Sequence, residues 1–162
     1  MPDPIAAAPP ALNESNETNE PEPLFHGAQN SCFGCGQTNP IGLHLDFQRF
    51  PDGTVLCSTV VSESYEGPPG YLHGGIIATL LDEAMSKANR AQGVTAMTRR
   101  MQVEYLRPVP SGSPIRIEGT VTRSEGRKHW TAAKIVDMKG TILAQAEGLF
   151  IAIRSRHAAQ PI

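Results

Sequence analysis

The chain has 162 residues, 40% of them apolar and 19% charged, with a formal net charge of -2. That length supports one domain with a sizeable core, and the composition suits a folded globular chain rather than a disordered one. The charge balance makes no electrostatic case for nucleic acid, and no apolar run approaches the roughly 20 residues that span a bilayer. The start of the chain lacks a basic segment followed by an apolar one, which speaks against secretion. Three cysteines, an odd number, point to reduced thiols and a cytoplasmic address.

Through residue 28, Pro2, Pro4, Pro9, Pro10, Pro21 and Pro23 interleave with Ala, Asn and Glu, and no periodic apolar face appears. Residues 1–28 are therefore expected to be a disordered or loosely ordered tail, with Leu24 and Phe25 as its anchors. Residues 29–156 are expected to form the domain, with 157–162 as a short C-terminal tail. Next come Cys32-Phe33-Gly34-Cys35-Gly36 and Asn39-Pro40-Ile41-Gly42-Leu43. The CxxC spacing invites zinc, with His26 and His44 as nearby partners. Structural zinc sites usually take four ligands, often as two close pairs, and here there is one pair and no second. The expectation is a tight glycine-rich turn with small buried cysteines and no metal. A thioredoxin-like role is weaker still, because no helix follows Cys32 to lower its pKa.

Leu43, Leu45 and Phe47 alternate with His44, Asp46 and Gln48, the pattern of a half-buried strand. Pro51-Asp52-Gly53 turns the chain into a second strand over 54–61, where Cys57 is packing. Residues 62–72 read as a loop rich in Gly and Pro. A long helix follows, because Ile77, Leu80, Leu81, Ala84 and Ala88 recur at helical spacing. No Ser, Thr, Asp or Asn stands at its N-cap, between His73 and Ile76. Its first amides are therefore expected to lack a side-chain partner, while Gly74 and Gly75 let another group come close. Such an end stabilises negative charge; alternatively, the glycines only permit a tight turn into the helix. Gly93 is the expected C-cap.

Four strands follow, over 95–107, 113–123, 127–137 and 141–154. Pro108-Val109-Pro110-Ser111-Gly112, Ser124-Glu125-Gly126 and Lys139-Gly140 separate them, so hairpin connections are expected. In the first, Met101, Val103 and Tyr105 share one face, with Arg100, Gln102 and Glu104 on the other. The order predicts an α+β fold, a curved antiparallel sheet around one long helix. So long a sheet with one helix also predicts pairing with a second copy.

His73-Gly74-Gly75 followed by Leu81-Asp82, with Tyr105 and Pro108 after the helix, resembles the PaaI-like branch of hotdog-fold acyl-CoA thioesterases. The longer run Glu66-Gly67-Pro68-Pro69-Gly70-Tyr71-Leu72-His73-Gly74-Gly75, with the two motifs near Cys32 and Asn39, is similar to the subgroup that includes mammalian thioesterase superfamily proteins. The resemblance covers residues 31–154. It implies a hotdog sheet wrapped around the helix, a homodimer with a continuous sheet, often paired into tetramers, and thioester hydrolysis without metal or other cofactor. Carried over by position, the Gly75 amide would polarise the thioester carbonyl and His73 would shape the turn. Asp82 would be the catalytic carboxylate, and Thr98 would help position water. Some relatives place an Asn six residues before the His; this chain has Gly67 there, so that contact is absent or supplied from elsewhere.

These residue types suit the chemistry. Preorganised amides aimed at a developing oxyanion are worth about 3–4 kcal/mol of barrier. A carboxylate can serve as general base or attack directly, and the sequence does not separate the two. Gly75 and Asp82 lie seven residues apart, roughly 10 Å along one helix, whereas the reacting groups must converge within about 3–3.5 Å. Two antiparallel helices from two chains meet that demand, with Gly75 of one facing Asp82 of the other. A helical carboxylate is by default a solvated surface group. Glu83 has Lys87 one turn on, in the order that stabilises a pair, while Asp82 lacks such a partner. Glu83 nevertheless stands, with Gly74, Tyr71, Arg99, Arg100 and Arg107, among the candidates to line the substrate. Arg123, Arg127 and Lys128 could also meet coenzyme A phosphates, and Trp130 is core or sheet surface. The rival functions are a non-hydrolytic acyl-CoA binding or sensing protein and a hotdog dehydratase. A sensor has no need of Asp82, and the dehydratases favour a different Asp-His motif.

Overall fold

The computed structural model describes residues 20–24, 27 and 29–153; the expectations for 1–19, Phe25, His26 and the residues beyond 153 lie outside them. Strand β1 (Glu22–Pro23) pairs with β2 (Gln48–Arg49), which pairs with β3 (Val55–Val60). A short 3-10 turn, Glu63–Tyr65, interrupts the expected loop; the Ser62 hydroxyl caps it by accepting the Ser64 N–H at 3.1 Å. Helix α1 (Gly74–Ala91) is followed by β4 (Ala96–Tyr105), β5 (Pro114–Glu125), β6 (Lys128–Asp137) and β7 (Ile142–Ala152). All pair antiparallel in one sheet of order β1-β2-β3-β5-β6-β7-β4. No helix among the described residues is long and apolar enough to cross a membrane.

The apolar stripe of α1 is laid against this sheet: Ile77, Leu80, Leu81, Ala84, Met85 and Ala88 are all buried. Contact is closest at Gly119 of β5, where a Cβ would stand 2.5 Å from the Ala84 carbonyl oxygen; only a residue without one lets the helix lie so near. The helix ends with Gln92 as cap and Gly93 one residue beyond, at φ 75°. Gly93 N–H donates to Arg90 O and Val94 N–H to Asn89 O, the paired ending that a left-handed glycine permits.

Two expectations are corrected, the strand over 43–47 and the hairpin between β4 and β5. Leu45 and Phe47 are buried as their alternation requires, but 43–47 is not a strand. Its amides go to a turn instead, Leu43 N–H to Phe33 O and Leu45 N–H to Gly34 O, and a turn is too irregular to make a ladder. The sheet also reaches back beyond residue 29. Leu24 is the anchor there, packed on the core with its N–H on Phe47 O at 2.9 Å. Finally, β4 and β5 are not a hairpin. β4 lies at the far edge beside β7, and the chain crosses back past the start of α1 before entering β5. In that crossing Val109 O accepts Leu72 N–H, Tyr71 pairs with Pro110, and Ser111 N–H bonds Gly70 O.

Candidate active site

The crossing strand segment and the 3-10 turn fix the start of α1 from both sides. His73 N–H donates to Tyr65 O at 2.9 Å, directly after the Leu72–Val109 bond. A Cβ on Gly67 would lie 3.2 Å from the His73 Cα, tighter than ordinary contact, so the loop closes around a glycine. The helix is not uncapped. His73 is its N-cap, and Nδ1 accepts the Gly75 N–H at 3.0 Å. An imidazole nitrogen thus does what a Ser or Asp oxygen does at other helix starts, and as acceptor it carries no proton. The amide assigned to the substrate carbonyl is therefore engaged by the neighbouring ring. The Gly74 N–H, by contrast, meets no acceptor among the described residues. The Gly74 carbonyl accepts from the Tyr105 hydroxyl at 3.1 Å. The sequence reading placed Tyr105 on a face with Met101 and Val103 and gave it no role. That face meets α1, and the long phenol extends it to the helix start.

Asp82 sits two turns down the same helix, half-buried, with its Oδ1 accepting from Thr98 Oγ1 at 2.7 Å. Plain alternation would put Thr98 on the face opposite Met101. The register between β4 and β7 shifts at this point: Thr98 pairs with Phe150, and Arg100 pairs with Leu149. Arg99 is the extra residue, a bulge that turns Thr98 onto the helix face with the fully buried Phe150. Burial raises the Asp82 carboxyl above its ordinary 3.8, with a smaller push from the charge of Glu83, while the Thr98 hydrogen bond pulls it down.

The other candidates scatter. Glu83 does not join Asp82; it is buried on another side of the helix, 3.1 Å from Lys87 Nζ and against the cysteine turn. Its assignment to the substrate is corrected to a structural pair. Tyr71 is half-exposed on the crossing segment. The Arg99 and Arg100 side chains are exposed, with no hydrogen bond or ion pair among the described residues, and Arg107 donates to Ile142 O. Arg123 lies 3.7 Å over the Trp130 ring, at the far hairpin. A groove of about 570 Å³ lined by Gln102, Glu104, Glu118 and Lys134 opens on the opposite face of the sheet and touches none of Gly74, Gly75, Asp82 or Thr98. In the single chain Gly74 and Asp82 meet β4, the terminal strand of the sheet, through Tyr105 and Thr98.

A thioesterase superfamily profile matches residues 69–144. Acyl-coenzyme A thioesterase THEM4 of Xenopus laevis is 36% identical over 106 residues, 65% of this chain and 48% of that one. THEM4 of Bos taurus is 37% identical over 110 residues, 67% and 45%. The chain therefore spans about half the length of the curated relatives it matches. Among solved structures, a thioesterase superfamily protein superposes with a TM-score of 0.67 at 34% identity, covering 70% of this chain and 56% of that one. The PaaI protein of the E. coli phenylacetic acid degradation operon gives 0.65 at 21% identity, covering 70% and 82%. The antiparallel sheet packed on one long helix is the hotdog arrangement of these neighbours, and over residues 69–144 the chain is similar to the thioesterase superfamily.

Proposed function

We propose that the chain hydrolyses acyl-CoA thioesters to the free acid and coenzyme A, with Asp82 as the carboxylate that activates water or attacks the carbonyl. The observation that carries this reading is the 2.7 Å bond from Thr98 to a half-buried Asp82 whose proton affinity burial has raised. A carboxylate of that kind is a stronger base than a solvated one. Thr98 holds one oxygen and leaves the other for water. The oxyanion would be met at the start of α1, where the Gly74 N–H is unengaged and a turn of the His73 ring would free the Gly75 N–H.

The two groups are too far apart on one helix to act on one carbonyl, so a second copy completes the site. β4 supports that geometry: it is ten residues long, lies at the sheet edge, and carries exposed Met97 and Tyr105. Such an edge invites pairing with another strand. Antiparallel pairing of two β4 strands lays the Tyr105 end of one chain beside the Thr98 end of its partner. Arg99, Arg100 and Arg107 are the candidates to meet coenzyme A phosphates. Two structural neighbours carry such ligands, one from Streptococcus mutans bound to acetyl CoA and one from Streptococcus pneumoniae with coenzyme A. The test is thiol release from short, medium, long and aryl acyl-CoA esters. Release above background from at least one is expected; binding without release from any would leave a sensor and end the enzyme reading.

A further inference from the structure

The cysteine turn takes no part in the chemistry above, yet it gathers three metal-ligating side chains. Cys32 Sγ, Cys35 Sγ and a Glu83 carboxylate oxygen lie within 4.8 Å of one another. Glu83 Oε2 is the oxygen near Cys32, at 3.8 Å; Oε1 is the one that pairs with Lys87 Nζ, at 3.1 Å. The same ammonium reaches Cys35 Sγ at 3.0 Å. We propose that Cys32, Cys35 and Glu83 form a structural site for a thiophilic divalent cation, Zn2+ by its ligand chemistry, with solvent in the fourth position.

Three features support it, and none depends on the hydrolytic reading. The first is spacing: tetrahedral zinc sets a thiolate sulfur and a carboxylate oxygen about 3.6 Å apart, given bonds of about 2.3 and 2.1 Å. Little movement is needed from 3.8 Å. The second is charge. One cation displaces two thiol protons, M2+ + 2 RSH giving M(SR)2 + 2 H+, so the net charge of the cluster does not change. The third is the backbone. A Cβ on Gly34 would stand 2.5 Å from Glu83 Oε2, and one on Gly36 would stand 2.4 Å from Asn30 O. The turn, closed by Gly36 N–H on Cys32 O at 2.8 Å, admits only glycine at 36 and seats the carboxylate against Gly34. The donor that the CxxC pair lacked in sequence arrives from α1, 51 residues after Cys32. Lys87 then supports Cys35 from outside the coordination sphere. Metal here would tie the turn to α1 one residue from Asp82.

The test uses the reduced, chelator-stripped chain titrated with Co2+ and then Zn2+. The expected result is one Co2+ per chain, a thiolate-to-cobalt charge-transfer band, and its loss to Zn2+; Zn2+ uptake by the stripped chain should release about two protons. Cys32→Ser and Cys35→Ser should each remove the band, Glu83→Gln should weaken binding at least about tenfold, and Cys57→Ser should change nothing. Circular dichroism checks the fold of each variant, and the wild-type titration stands without them. A folded wild-type chain that gives no thiolate–cobalt band overturns the proposal. A band that survives Cys32→Ser overturns it equally, as does conversion of the cysteine pair to a disulfide in place of stoichiometric uptake.

Discussion

Asp82 and Glu83 stand side by side on α1, and a step of about 100° around the helix sends them to different surroundings. Glu83 turns into the cysteine turn, where Lys87 meets it at 3.1 Å with both side chains nearly out of solvent. Asp82 turns toward the sheet edge and meets a hydroxyl, Thr98, rather than a cation. The first carboxylate is compensated and held; the second is half-desolvated and left with one oxygen unclaimed. Neighbouring residues of the same charge type thus divide into a paired carboxylate and one that the proposed reaction would use, and the division is set by what each face of the helix meets.

Substitutions can break that contrast. Glu83→Gln takes the carboxylate away from the buried Lys87 charge, and removing one member of such a pair costs about 3–5 kcal/mol. Urea unfolding should show that loss, with turnover per folded molecule falling far less than in Asp82→Asn. Adding Lys87→Met should recover much of the stability, because the buried charge goes with it. On the other face, Thr98→Val removes a hydrogen bond to an ionised group, worth about 1.5–3 kcal/mol, so kcat/KM should fall about ten- to a hundredfold. The acid limb of its pH profile should also move up, since the Thr98 bond is what lowers Asp82. His73→Ala strips the cap from α1 at about 1 kcal/mol of stability, readable by denaturant unfolding, and should change kcat less than Thr98→Val does. The smallest effect sharpens the comparison by its sign. The raised carboxyl of Asp82 binds its proton more tightly folded than unfolded, so its stabilising contribution is full below pH 3.8 and lost as pH rises through the folded value. Asp82→Asn should therefore match or exceed wild-type stability at neutral pH, where Glu83→Gln falls well short.

Much of this was legible because it is periodic or local. The stripe from Ile77 to Ala88 fixed the helix, and the alternation around Met101 and Val103 gave its sheet partner a face. The Glu83–Lys87 pair follows from a four-residue step. What escaped the sequence depended on an irregularity or on a distant segment. Alternation puts Thr98 on the wrong side of β4, and the Arg99 bulge that corrects it has no local signature. His73 carries no side-chain oxygen, the usual mark of an N-cap, yet its ring nitrogen reaches the same amide. Leu43 and Leu45 look like a strand because burial alternates, yet their partner is a turn. The third donor beside Cys32 and Cys35 is brought by packing of α1, which no spacing within the motif reports.

The account rests on Asp82 acting on a thioester carbon while its neighbour holds the fold. The direct measurement is kcat/KM for thiol release by wild type and Asp82→Asn, on whichever acyl-CoA ester the wild type cleaves best, with both chains shown to be folded. The predicted result is a loss of at least about a hundredfold in the variant, the scale on which a positioned acid–base group contributes. Equal turnover by the two chains would contradict it.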